Sequence, residues 1–181
     1  NTYHKAGGKI QPFQPNGKDI PAYWVKEFQD ADGTTVKVGF IGLCLNSNQP
    51  EYVHYDYADD NKFLKFKQTY LQIKNKVDIV IGLTHQTIAN DKLLAADFPN
   101  IPLIIGGHEH HHMKHKVGNV IITKADANAK TAYIHRFKYN KKGKKVSFTS
   151  ELKKVNKTVK DEKKTALVVE KWKKIANQVL R

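Results

Sequence analysis

The chain has 181 residues, 40% of them apolar, and a formal net charge of +14, which gives length for one substantial core and suggests one domain with an appendage. No apolar run approaches the ~18 residues that span a membrane, and the single cysteine, Cys44, excludes an intramolecular disulfide framework and a Cys-rich zinc site. Sixteen Lys/Arg against four Asp/Glu from Arg136 to Arg181 concentrate a net +12 in the last quarter, leaving the rest nearly neutral.

Residues 1–21 carry Gly7, Gly8, Pro12, Pro15, Gly17 and Pro21 and read as a loop-rich opening segment. The chain begins at Asn1 without an initiator Met, so the lack of a leader peptide carries no message about location. Ala22–Phe28 and Thr35–Leu43 read as two strands joined by the turn signal Asp30-Ala-Asp-Gly33, a hairpin. Cys44, just after the apolar run Val38–Leu43, reads as a small buried side chain rather than a nucleophile. Residues from Asn46 to Asp60 are polar, aromatic and irregular. A helix is expected from Asp60 to Asn75, with Phe63, Phe66, Tyr70 and Ile73 on one face.

Val77–Leu83 reads as a buried strand, Asn90–Phe98 as a helix and Pro102–Ile105 as a second buried strand, the strand–helix–strand order that implies a parallel sheet. Val120–Lys124, Thr131–Tyr139 and Lys145–Leu152 then read as consecutive antiparallel strands, the last two joined at Asn140-Lys-Lys-Gly143. Asp161–Leu180 closes the chain as a basic amphipathic helix with Ala166, Val169, Trp172 or Lys173, Ala176 and Val179 at helical steps. The expected class is α/β.

Two strings of histidine come straight off the two buried strands: Thr84-His85-Gln86, and Gly106-Gly107-His108-Glu109-His110-His111-His112. Ligands of open α/β sheets bind outside the carboxyl ends of strands, so His85, His108 and His110 are expected to converge. Neutral imidazole suits zinc, manganese and iron, and a His-x-His loop serves either one metal or two neighbours. Taken alone the loop is equally compatible with surface polarity, and its position after two successive strands favours a metal. His111, His112 and His115 have no strand-end geometry, and His4, His54 and His135 read as ordinary surface or packing residues. Glu109 and Asp91 are the carboxylates close in sequence, and neither is an obvious bridge between two cations.

These residues resemble the second half of a calcineurin-like metallophosphoesterase domain, specifically of the 5′-nucleotidase family. Asp19–Leu43 resembles that family's hairpin into a central strand, VDIVIGLTHQ (Val77–Gln86) its fourth metal-binding block, and IPLIIGGHEH (Ile101–His110) its terminal Gly-His-x-His block. VIITKADANAKTAYIHRFKY (Val120–Tyr139) resembles the strand pair that closes the domain. The resemblance implies part of an αββα sandwich with a mixed sheet over residues 1–152, followed by a linker and basic connector helix over residues 153–181. It implies two divalent cations in the complete domain (Zn, Mn, Mg or Fe), with His85 and His108 on one and His110 on the other. The family's Asp-x-His, Gly-Asp and Asn-His blocks are expected before Asn1, and a substrate-binding domain after Arg181. Glu109 stands where the family usually has a small polar residue, and Thr87 where glycine is common.

The implied function is hydrolysis of a nucleotide or other phosphoester, of 5′-nucleotidase or cyclic-nucleotide phosphodiesterase type, with this chain alone catalytically incomplete. The implied location is periplasmic, cell-surface or secreted. The competing reading is a basic nucleic-acid- or anion-binding module, since lysines neutralise phosphates without a sequence code. The segment is, however, Lys-rich with few aromatics for base stacking, and a solvated basic face explains it more simply. A lone three-histidine zinc site with an open position is the third reading.

Overall fold

In a computed structural model of the protein, residues 1–48, 50–57 and 59–179 are described. The opening segment, expected as loop, forms a hairpin of β1 (Thr2–Ala6) and β2 (Lys9–Gln11). Gly7 and Gly8 carry φ of 55° and 75° at its turn, which suits the primed turns that match strand twist. β1 also pairs antiparallel with β5 (Val53–Tyr55), a short strand inside the stretch expected to be irregular. Neither strand carries a long alternating pattern, and each exists because the other supplies its partner.

The expected hairpin forms as β3 (Tyr23–Gln29) and β4 (Thr35–Cys44). A ten-residue helix, α1 (Leu64–Ile73), follows; it is shorter than the sequence suggests, because a separate 3-10 turn occupies Asp59–Asn61 and Phe63 caps α1 without a side-chain hydrogen bond. Then come β6 (Ile79–His85), α2 (Ile88–Asp97) and β7 (Leu103–Gly106). The Thr87 side chain accepts the Asn90 N–H at the start of α2, a favourable N-cap.

After the histidine loop the chain forms β8 (Met113–Val117), β9 (Val120–Lys124), β10 (Thr131–Asn140) and β11 (Lys145–Lys154). The central sheet runs β3-β4-β6-β7-β9-β8. Its four inner strands are parallel, and β3 and β8 are antiparallel edges. This corrects the expectation of three consecutive antiparallel strands: β9 pairs with β7 and β8, while β10 and β11 form a separate two-stranded sheet. Val120 and Ile122 are fully buried, as a strand between two neighbours requires, whereas β10 and β11 alternate between half-buried and exposed residues.

One face of the central sheet is covered by α1 and α2. Phe66, Ile73, Leu94 and Phe98 meet Ile41, Leu43, Val80, Ile104 and Ile122 there, with Phe98 edge-on to Phe66 at 5.1 Å. On the opposite face the β10–β11 hairpin brings Phe137, Tyr139 and Val146 onto Val38, Ile79 and Ile81. The remainder of that face opens as a groove of about 1050 Å³ lined by Trp24, Phe40, Cys44, Leu83, His85 and Ile105 among others. The mixed α/β architecture agrees with the expected class. The basic helix α3 (Lys163–Val179) has no buried residue, and among the described residues no helix is long and apolar enough to cross a membrane.

Candidate metal centre

β6 and β7 are parallel neighbours, with Leu83 opposite Ile105 and Thr84 opposite Gly106, so His85 and the loop from Gly107 leave the sheet side by side. The Gly107 N–H donates to the Thr84 carbonyl at 2.9 Å. Gly107 matters here for space: a Cβ on it would lie 3.2 Å from His85 Nδ1. The rings of His85 and His108 sit with centroids 5.3 Å apart and planes at 82°. Burial first, then the nearby His108, Lys124 and His110, push the His85 imidazole below its ordinary range. That favours the neutral ring, the form that ligates metals.

His85 and His108 are therefore brought together, and His110 lies close enough to act on His85 electrostatically. Among the described residues, no group of three or more His, Cys, Asp or Glu side chains is assembled as a metal cage. The donor set present is a pair of imidazoles with a third at hand; its chemistry fits a divalent cation of the zinc or manganese kind, and the oxygen ligands that would complete such a site are not among these residues.

His108 and His110 both have left-handed backbone, with φ of 90° and 63°, uncommon for residues other than glycine. The loop is tied down on either side. Its far end is held by Asp126, which accepts the His112 N–H at 2.9 Å, contacts His112 Nδ1 at 2.9 Å and accepts the Thr131 hydroxyl at 2.7 Å. His111 Nδ1 donates to the Glu109 carbonyl at 2.9 Å. The other histidines serve elsewhere: His135 stacks on Tyr133 and contacts Ser150, while His4 and His54 lie against Phe13 and Tyr3.

Lys124 is the residue that sequence reasoning missed. It ends β9 with its side chain 1% exposed, and its ammonium lies 2.8 Å from Asp91 Oδ2, 2.6 Å from Glu109 Oε2 and 2.5 Å from the Gln86 carbonyl. Glu109 Oε1 in turn accepts the Ile88 N–H at the start of α2. Burial works against the Glu109 anion, yet Lys124 and that N–H hold its carboxyl below the usual range. Asp91 is fully buried, and burial pushes its carboxyl up against the pull of Lys124. In sequence Lys124 merely follows the strand residues Val120–Thr123, which does not set it apart from a solvated lysine. Cys44 is half-buried, and its thiol is pushed up by burial, in keeping with a packing role.

No protein-family model matches the chain. An uncharacterised metallophosphoesterase of Bacillus subtilis, YunD, is 27% identical over 96 residues, covering 50% of this chain and 20% of that protein. A Staphylococcus aureus protein assigned as a 5′-nucleotidase, solved in complex with α-ketoglutarate, superposes with a TM-score of 0.62 at 16% identity, over 90% of this chain and 35% of its own. The NAD nucleotidase NadN of Haemophilus influenzae superposes with a TM-score of 0.56 at 17% identity, over 88% of this chain and 36% of its own. The chain thus spans about a fifth of the curated relative and about a third of each of these structures. The class so defined is the calcineurin-like metallophosphoesterase fold. Over most of its length the chain shares the fold of these two 5′-nucleotidase-type structures, of which it carries a part.

Proposed function

We propose that this chain supplies the histidine-bearing second half of a two-metal phosphoester hydrolase that acts on nucleotides, with His85 and His108 on one cation and His110 on the other. The observation that carries the reading is the packed His85–His108 pair at the carboxyl ends of adjacent parallel strands. Two bound divalent cations supply a nucleophile from water at neutral pH and charge to stabilise the phosphoryl oxygens. The chain's own part is to present neutral imidazoles and hold them by backbone anchors beside a groove lined by the apolar Leu83 and Ile105. Two of the solved structures that share the fold are named as nucleotide hydrolases, which supports a nucleotide substrate. By the same family resemblance we place residues 1–152 in the catalytic domain and 153–181 in a connector, with the whole protein outside the cytoplasm.

Calorimetric titration of the chain with Mn²⁺ or Zn²⁺ tests this. Binding that His108→Ala abolishes is expected, together with nucleotide hydrolysis near background for the chain by itself. Unchanged binding in His108→Ala refutes the metal assignment. Robust metal-dependent hydrolysis lost in His108→Ala refutes the view that these residues form only half a centre. Should the basic-module reading hold instead, binding to single-stranded nucleic acid would fall steeply with salt and be indifferent to His108→Ala.

A further inference from the structure

Left-handed conformations at residues such as His108 and His110 persist only where the surroundings over-determine them. Between those two histidines stands Glu109, whose carboxylate is bound at both oxygens. One oxygen meets the Lys124 ammonium and the other the Ile88 N–H. The ammonium donates to Glu109 Oε2 and to the carbonyl of Gln86, the residue after His85, and pairs in charge with Asp91 in the first turn of α2 at 2.8 Å, so that it meets oxygens on three different segments. A single buried cation therefore ties the backbone beside His85 to the residue between His108 and His110. Gly106, paired with Lys124 across the ladder, leaves the room: a Cβ there would lie 2.9 Å from Lys124 Cε and 3.0 Å from Asp91 Oδ2.

We propose that Lys124 and Glu109, seated on Asp91, are positioning residues that hold His108 against His85 before any metal arrives. The proposed role rests on the two-metal reading, whereas the geometry it asserts does not. A merely stabilising ion pair would alter melting and leave the ring contact untouched. A positioning pair alters the ring contact first, and with it metal affinity, because outer partners orient ligating groups.

The test uses the chain without metal, following the nuclear Overhauser contact between the His85 and His108 rings, and then with Co²⁺, following affinity and visible spectrum. Glu109→Thr removes the loop's carboxylate while Lys124 keeps Asp91 and Gln86, so the sheet retains its buried pair. The ring contact is expected to vanish and Co²⁺ affinity to fall by about 10-fold or more, while Glu109→Gln, which keeps an oxygen for the Ile88 N–H, recovers part of both. The double variant Lys124→Gln with Asp91→Asn removes both buried charges together and is expected to lose the same contact. Retention of the ring contact in Glu109→Thr and in the double variant overturns the proposal. If Co²⁺ does not bind the unaltered chain, the two-metal reading fails, and the metal-free ring contact still decides the positioning role.

Discussion

The crowding at Gly106 makes a quantitative prediction, because three glycines of one sheet offer graded space to the same added methyl. A Cβ at Gly106 would meet Lys124 Cε at 2.9 Å, Asp91 Oδ2 at 3.0 Å and Thr84 Oγ1 at 3.0 Å. None of these can yield cheaply, since the Lys124 ammonium is fixed by three oxygens and Asp91 is fully buried. At Gly82 the nearest atom is Ile104 Cγ1 at 3.3 Å, and at Gly42 no atom lies within 4 Å. Overpacking a full core costs about 1–3 kcal/mol, and displacing a buried ion pair adds to it. Gly106→Ala is therefore expected to lose about 2–4 kcal/mol. Gly82→Ala should lose about 1 kcal/mol. Gly42→Ala should be neutral or gain up to about 1 kcal/mol from the reduced freedom of the unfolded chain. Urea unfolding of the three variants, read at unchanged slope, measures the series. A Gly106→Ala protein within about 0.5 kcal/mol of Gly42→Ala would refute the packing argument.

The half-buried His135 has its imidazole pushed down, by burial first and then by Lys114. Because the unfolded chain takes up that proton first, its contribution to stability is present above the ordinary imidazole range near ~6.5 and is lost as pH falls through it. Thermal melts of His135→Gln against the unaltered chain from pH 8 to 5 should show a shallower acid-side decline, and parallel curves would contradict the assignment. The Cys44 thiol, raised by burial, should react with iodoacetamide at pH 7 more slowly than free cysteine; mass spectrometry showing a rate equal to that of the free amino acid would reverse this reading. Phe66 is 1% exposed and packs edge-on to Phe98. Phe66→Ala should therefore destabilise by about 3–5 kcal/mol, and a loss under 1 kcal/mol in urea unfolding would show that α1 does not anchor the core.

Predominantly apolar segments told their story in the sequence. Val77–Leu83 and Pro102–Ile105 were legible because an inner strand with neighbours on both edges and helices over one face buries most of its side chains; the observed β6 and β7 agree to within about two residues, with Leu83 and Ile105 left facing the groove. The hairpin of β3 and β4 was legible because its Asp-Gly turn is chemically specific. The short β1, β2 and β5 were not, because strands of three to five residues owe their existence to a partner rather than to their own pattern. The same holds for β9, whose residues specify a strand but not which of β7, β8 or β10 it joins.

By itself, then, the sequence determined that His85 and the His108–His110 loop leave the ends of two buried strands, since periodicity and glycine punctuation are local properties. The tertiary structure decided that these strands are adjacent, that the His85 and His108 rings touch, and that Lys124 is buried between Asp91 and Glu109. No local signal distinguishes a lysine bound for solvent from one buried between two carboxylates. The difference lies in Asp91 and Glu109, 33 and 15 positions away in the chain. Only folding brings them close enough to offset the cost of taking that charge out of water.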